Sequence, residues 1–409
     1  MYDSAAAAPA DATVSPLHPL LQEARGAVAA LTLQSTDRRS QTLKAMGKAI
    51  LTERDRILEA NTLDLEISRE MAIPEQVTDW LKLTPDRINR AAHVLDRLGE
   101  LGSPFVLWGE RRRPTGVVAM VYESFPELAA ITAGLCLRTG NALVLKGSNE
   151  ASQTNQTLVD VLLEALVASE LPPPVLQLVP SLWSDVTRAR LVQQPELDLV
   201  IPHGRPKLVE QVVAQAACPV IATYIGGCTL CVRPSASLDT VVKVLVESHQ
   251  GSPDAVHQIN SVILAGEFTS QWLGSLWQAL ADQLTLTGTA SLVRLLADSQ
   301  LSDVERLETS DSHSANRNRT VAIHLAATLT AAIGWMNVHG QQRAMGLCTA
   351  LQADVQTFID QANGIELHIN RSPRFYRNPA NAVDIALGMS SQQGRIGLRA
   401  LTKPQPILY

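Results

Sequence analysis

Apolar residues recur at helical intervals through the first hundred positions. Leu43, Met46, Ile50 and Leu51 share one face, as do Ile57, Leu58, Leu63 and Leu65. Thr84-Pro85-Asp86 predicts a helix start, with Thr as N-cap and Pro at the first helical position, where its missing N–H costs nothing. At Gly116 the pattern changes. Residues 117–121 form a continuous apolar run of strand length, followed by a helix over 128–138 closed by Gly140 and a second buried strand over 142–145. A helix over 152–171, a strand over 175–179, a helix near 184–193 and strands over 197–201 and 220–222 continue the alternation. Apolar strands alternating with helices predict an α/β fold, a doubly wound parallel sheet covered on both faces. A second α/β stretch runs from 229 to about 370, with a strand over 261–264 and a helix over 270–284. Residues 301–319 are polar and read as a loop.

Composition narrows the function. The chain has 409 residues, too many for one small core, so two or three lobes are expected. Residues 1–18 are rich in Ala, Pro and Ser and read as a disordered lead-in rather than a signal peptide. The net charge of -6 argues against a nucleic-acid or anionic-membrane partner, which would call for a basic face. No apolar stretch is long and unbroken enough to span a bilayer. Five scattered cysteines do not form a disulfide framework, and the chain reads as cytoplasmic. Cys228 and Cys231 form a Cys-x-x-Cys, but on a strand residues three apart face opposite sides, which favours packing over a redox pair or metal site. No His or Cys cluster completes a zinc site.

Four ordered blocks carry a resemblance to a known family. They are Ile57-Leu-Glu-Ala-Asn-Thr-Leu-Asp-Leu through Leu81-Lys-Leu-Thr-Pro-Asp-Arg-Ile88; Gly116-Val-Val-Ala-Met-Val-Tyr-Glu-Ser124 through Leu145 to Ala151; Leu197-Asp-Leu-Val-Ile-Pro-His-Gly204 with Pro219-Val220; and Ile369-Asn-Arg-Ser-Pro-Arg-Phe375 with Gly394-Arg-Ile-Gly-Leu-Arg-Ala-Leu-Thr402. Together they span nearly the whole chain and resemble the γ-glutamyl phosphate reductases (glutamate-5-semialdehyde dehydrogenases) of proline synthesis, in the aldehyde dehydrogenase superfamily. The resemblance implies an NADP-binding lobe over 19–227, with a shortened bridging element at 105–115. It further implies a catalytic-type lobe over 228–370 and a return segment over 371–409 ending in a shortened bridging strand. In that family a cysteine thiolate attacks the acyl phosphate, phosphate leaves, and hydride from NADPH reduces the thioester. A thiolate suits this because it is nucleophilic near neutral pH. Carried over, the cofactor would meet Ser124, Lys146, Ser148, Gly204, Gly226 and Gly227, and the substrate would meet Tyr122, Glu123, Asn370, Ser372 and Arg374. Lys146 reads equally well as a solvated lysine at a strand end.

The sequence departs from the family at the chemistry. Where the family reads Pro, two small residues, Cys and Asn, this chain reads Pro253-Asp-Ala-Val256-His257. Val256 stands at the nucleophile's position, so no catalytic residue is assigned; His257 would bring a different chemistry. Tyr-Glu-Ser-Arg-Pro-Asn becomes Tyr122-Glu-Ser-Phe125-Pro-Glu127, placing a carboxylate expected to repel an acyl phosphate. A Cys-His pair becomes Cys228-Thr229, a ribose-holding Glu falls in Ser314-Ala315-Asn316, and a later Glu becomes Ala386. Arg205 replaces a Gly of the phosphate loop, where it would hinder close backbone approach and weaken NADP binding. The expectation is a family member that has lost reductase chemistry and binds a ligand or another protein, such as a proline-pathway enzyme. The rival is an active reductase. The short bridging element puts the family's homo-oligomer contact in doubt.

Overall fold

The computed structural model describes residues 16–105, 110–181, 183, 187–224, 226–250, 256–288, 292, 305–306, 319–340, 343–390 and 393–407. Five helices come first: α1 (Leu17–Thr32), α2 (Thr36–Thr52), α3 (Arg54–Glu70), α4 (Glu75–Leu81) and α5 (Pro85–Glu100). Ser35 and Thr84 cap α2 and α5, each side chain accepting from the backbone N–H three residues on (Arg38 and Arg87). The first helix begins earlier than expected. Leu17, Leu20 and Leu21 are buried against Val117, Ala119 and Val144, so the anticipated lead-in over 1–18 is corrected at its end. An apolar face at i, i+3 and i+4 outweighs the Ala- and Pro-rich composition before it. Residues 1–15 lie outside the described residues.

The first sheet is built from β2 (Val117–Tyr122), β3 (Ala142–Lys146), β4 (Leu176–Leu178), β5 (Leu199–Gly204) and β6 (Thr223–Tyr224), after a three-residue β1 (Arg112–Pro114). Its order is β4-β3-β2-β5-β6, all parallel, with α6 (Glu127–Thr139), α7 (Ser152–Ala168), α8 (Arg188–Val192) and α9 (Pro206–Gln215) as crossovers. The pleat sorts β2 between two cores: Val118, Met120 and Tyr122 face α5 and α6, while Val117, Ala119 and Val121 face α1. Gly140 closes α6 at φ 76°, the left-handed cap that glycine adopts without strain. Three of the expected elements shift. A 3-10 turn at Pro173–Val175 precedes β4, since consecutive prolines cannot donate to a ladder. The helix near 184–193 is only α8, with 184–186 outside the described residues. The strand expected over 220–222 is a single bridge, Val200 to Val220, and the ladder falls at β6.

The second lobe holds β7 (Cys228–Val232), α10 (Leu238–Ser248), β8 (Ile259–Ala265), α11 (Ser270–Leu280), β9 (Thr285–Gly288), β10 (Glu305–Arg306), β11 (Thr320–Ala326), α12 (Leu329–His339), β12 (Met345–Cys348), α13 (Gln352–Gln361) and β13 (Leu367–Ile369). The sheet order is β10-β9-β11-β8-β7-β12-β13, again parallel. Most of the loop expected over 301–319 lies outside the described residues. Cys228 and Cys231 sit on opposite faces of β7, in different cores, as the pleat requires. After 370 the chain returns to the first lobe. The hairpin of β14 (Ala386–Ser390) and β15 (Gly394–Gly397) sends Leu387, Ile396 and Leu398 into its core, and β16 (Thr402–Pro404) pairs antiparallel with β1. The described bridge is thus one pair of three-residue strands; residues 106–109 lie outside the description. Among the described residues no helix is long and apolar enough to cross a membrane.

Two candidate ligand clefts

A cleft of about 330 Å³ opens where α5, α6, the segment before β8 and residues 374–378 meet. The capped start of α5 projects Arg87 and Arg90 one turn apart on one face. Arg87 is buried and grips the buried Glu127 of α6 with two nitrogens, Nε to Oε1 at 2.9 Å and Nη2 to Oε1 and Oε2 at 2.6 Å each. Arg374 donates to Gln250 Oε1 at 3.1 Å and lies over the Tyr376 ring. Arg377 donates to the Leu387 carbonyl at 2.9 Å; burial holds its pKa down to about 10, with Arg87 and Arg90 adding to the effect and Glu127 opposing it. Four arginines thus surround one carboxylate, an arrangement that favours an anion.

Val256 and His257 form the opposite wall, and Val256 is 4% exposed. No cysteine stands among the described lining residues. Cys228 lies behind Val256, its thiol directed at the Val256 carbonyl at 3.8 Å, and burial pushes its pKa up to about 12. Burial also raises the thiols of Cys136, Cys218, Cys231 and Cys348, so none of the five is a ready thiolate.

A second cleft of about 320 Å³ lies past the carboxyl end of β3, where doubly wound sheets bind their ligands. Lys146, Trp183, Thr187 and Arg188 line it. Burial, and the nearby Arg188, lower the Lys146 pKa. Two close cations share an opening with one aromatic side chain. A larger opening of about 600 Å³ lies beside β1 and β16, but its Arg112 and Arg395 are already engaged by Glu110 and Glu366. Among the described residues no group of three or more His, Cys, Asp or Glu could hold a metal ion.

The aldehyde dehydrogenase family pattern matches residues 3–253. The chain is 34% identical over 406 residues to gamma-glutamyl phosphate reductase 2 of Synechocystis sp., covering 95% of this chain and 96% of that protein. The chain belongs to the γ-glutamyl phosphate reductase family. The enzyme of Bacillus mycoides is 27% identical over 395 residues, covering 92% and 94% of the two chains. The fold agrees with the crystal structure of γ-glutamyl phosphate reductase from Thermotoga maritima, with a TM-score of 0.84 at 23% identity over 96% of this chain and 97% of that one. A probable aldehyde dehydrogenase from Listeria monocytogenes shares the fold at TM-score 0.70, 14% identity and coverage of 96% and 97%.

Within this family frame the structure places the expected site residues unevenly. Of the substrate residues only Arg374 lines the inter-lobe cleft. Tyr122 is fully buried, its hydroxyl donating to Asn155 Oδ1 at 2.9 Å, and its pKa is raised by burial and Glu127. Glu123 turns to Arg205, Asn370 brackets Thr349 through both ends of its amide (2.9 and 3.0 Å), and Ser372 accepts from the Arg374 N–H at 3.2 Å. These four make internal hydrogen bonds and are not among the residues lining the cleft. Glu127, expected to repel an acyl phosphate, is paired with Arg87. Phe125 stacks on Trp80 at 5.1 Å instead of facing the cleft.

Of the cofactor residues only Lys146 lines the second cleft. Ser124 and Ser148 are buried against each other, the Ser124 N–H meeting Ser148 Oγ at 3.4 Å. A Cβ at Gly204 would stand 2.8 Å from the Glu123 carboxylate, which accepts from the Arg205 backbone N–H at 2.9 Å and from its guanidinium at 3.0 and 3.1 Å. The start of α9 therefore already holds an internal anion. The Arg343 guanidinium fills the turn at Gly226 and Gly227, donating to the Gly226 carbonyl. Ala386 is buried in β14. Residues 253–255 and 314–316 lie outside the described residues. Sequence reading missed Arg90, Arg188, Trp183 and Arg377 as lining residues. Arg87 and Arg90, i and i+3 behind a recognised helix start, carried the clearest overlooked signal.

Proposed function

We propose that this family member binds a small anion in the inter-lobe cleft and a nicotinamide dinucleotide phosphate beside Lys146, without reductase turnover by the thioester route. The carrying observation is the wall at Val256: an apolar side chain where the sequence resemblance would put the family's nucleophile, with no cysteine among the described lining residues. The second cleft fits a phosphate monoester on a ribose, since Lys146 and Arg188 supply point charges and Trp183 an aromatic face. NADPH, when bound, would supply hydride. Glu123 on the α9 N-terminus and Arg343 in the Gly226–Gly227 turn compete with a pyrophosphate and support weakened affinity. The protein would act as a cytoplasmic regulatory or scaffolding partner, for example of a proline-pathway enzyme, and the short β1–β16 pair supports a departure from the family's subunit contact.

The test is phosphate- and NADP-dependent oxidation of glutamate 5-semialdehyde, on protein purified from a host lacking its own reductase. The expected result is no turnover approaching roughly 1–10³ s⁻¹. A rate in that range would establish the second reading, an active glutamate-5-semialdehyde dehydrogenase, which the relatives' names and the arginine-rich cleft favour. Val256→Cys alone is expected to stay inactive, and full rescue would assign the loss to that one residue.

A further inference from the structure

We propose, resting on the reading that the inter-lobe cleft binds rather than transforms its ligand, that it takes a small carboxylate which also carries an O–H or N–H donor, and that Nδ1 of His257 reads the donor. His257 follows Val256 at the entrance to β8 and is 3% exposed. Its Nε2 lies 3.2 Å from the Gln250 carbonyl oxygen. A carbonyl only accepts, so Nε2 carries the ring hydrogen and Nδ1 of the neutral ring is a bare acceptor. Burial, opposed by the bond to Gln250 and assisted by Arg374 and His249, pushes the His257 pKa down to about 4, so the ring is neutral at pH 7.

Among the described residues Nδ1 has no hydrogen-bond partner. Buried polar atoms are nearly always paired, and this one belongs to a side chain in the wall of a ligand-sized opening. A donor brought in by a ligand would complete it. The anionic end has its own receptors. Arg90 is exposed and has no partner among the described residues, and Arg374 keeps a second guanidinium nitrogen beyond its bond to Gln250. Glu127 is occupied by Arg87 and does not discharge them. The volume, about 330 Å³, falls at the small end of the roughly 300–1,000 Å³ usual for ligand pockets. A cation pair and an acceptor in so small a space select an acid of a few carbons that bears its own donor.

Calorimetric titration of the full chain with two probe pairs tests this: 2-hydroxyglutarate against glutarate, and malate against succinate, each pair differing by one hydroxyl. At least one hydroxy acid should bind about tenfold more tightly than its parent, the worth of one satisfied hydrogen bond. His257→Leu should abolish the preference, while His257→Asn, whose Oδ1 stands where Nδ1 stood, should keep it. Arg374→Gln should weaken both members of a pair alike. Equal binding within both pairs by the wild-type protein, no binding of any probe at millimolar concentration, or a preference that survives His257→Leu would overturn the proposal. The wild-type comparison decides even if a variant fails to fold. Turnover of the semialdehyde together with a persisting hydroxyl preference would overturn only the non-catalytic reading.

Discussion

In the inter-lobe cleft a buried guanidinium is locked onto a buried carboxylate, Arg87 on Glu127, whereas Lys146 and Arg188 line the cleft beyond β3 with Glu150 in the same wall and no ion pair to either cation among the described residues. The first pair ties α5 to α6 and serves the fold. Burial, with the nearby Arg188 adding to it, lowers the Lys146 pKa, and an anion in the opening would oppose both effects. A cation count alone would rank the inter-lobe cleft as the stronger anion site. Counting the partners shows that its bare charge rests on residues outside the Arg87–Glu127 pair.

Glu127→Gln puts the greatest strain on this contrast. It leaves Arg87 buried without its counter-charge and is expected to lower unfolding stability by about 3–5 kcal/mol in urea titration. A loss below about 1 kcal/mol would mean that Arg87 is held by its other bonds, such as that to the Trp80 carbonyl at 3.0 Å. Acid should act on the same side of the molecule. Burial, reinforced by Arg377, depresses His203 to about 3, and burial depresses His257 to about 4. These folded values lie below the ordinary unfolded value of about 6.5, so the unfolded chain binds more protons between them. Stability from this source is therefore full above about pH 6.5 and is lost as pH falls toward 4, by about 2 kcal/mol per histidine at pH 5. His203→Gln should flatten the profile between pH 7 and 5, and an unchanged slope would assign it to other groups.

On the other side, Lys146→Ala and Arg188→Ala should each weaken NADPH binding about tenfold in fluorescence titration while leaving NADH little changed. Equal losses for both nucleotides would move the phosphate elsewhere and remove the distinction between the clefts. The smallest effect is expected from Thr84→Ala. It deletes the cap of α5, the helix that positions Arg87 and Arg90, and should cost about 1 kcal/mol without altering NADPH affinity.

The parallel sheets, the cap at Thr84, the closing Gly140 and the opposed faces of Cys228 and Cys231 were legible in the chain, because periodicity and capping act over a few residues. The site was less so. Lys146 and Arg374 line clefts, whereas Tyr122, Glu123, Asn370 and Ser372 make hydrogen bonds inside the protein. Whether a polar side chain faces a ligand or a neighbour depends on partners such as Asn155, Arg205 and Thr349, which lie 21 to 82 residues away.

By itself the sequence determined the fold and the family, since each follows from residue identity and local order along the chain. Only the tertiary structure decided what the surrounding charges do. It set Arg87 against Glu127, Arg205 against Glu123 and Lys146 beside Arg188, and among the described residues it left the buried Nδ1 of His257 without a partner. Electrostatic roles depend on distances of a few ångströms between residues remote in sequence, and those distances exist only once the lobes are folded and the return segment is packed against them.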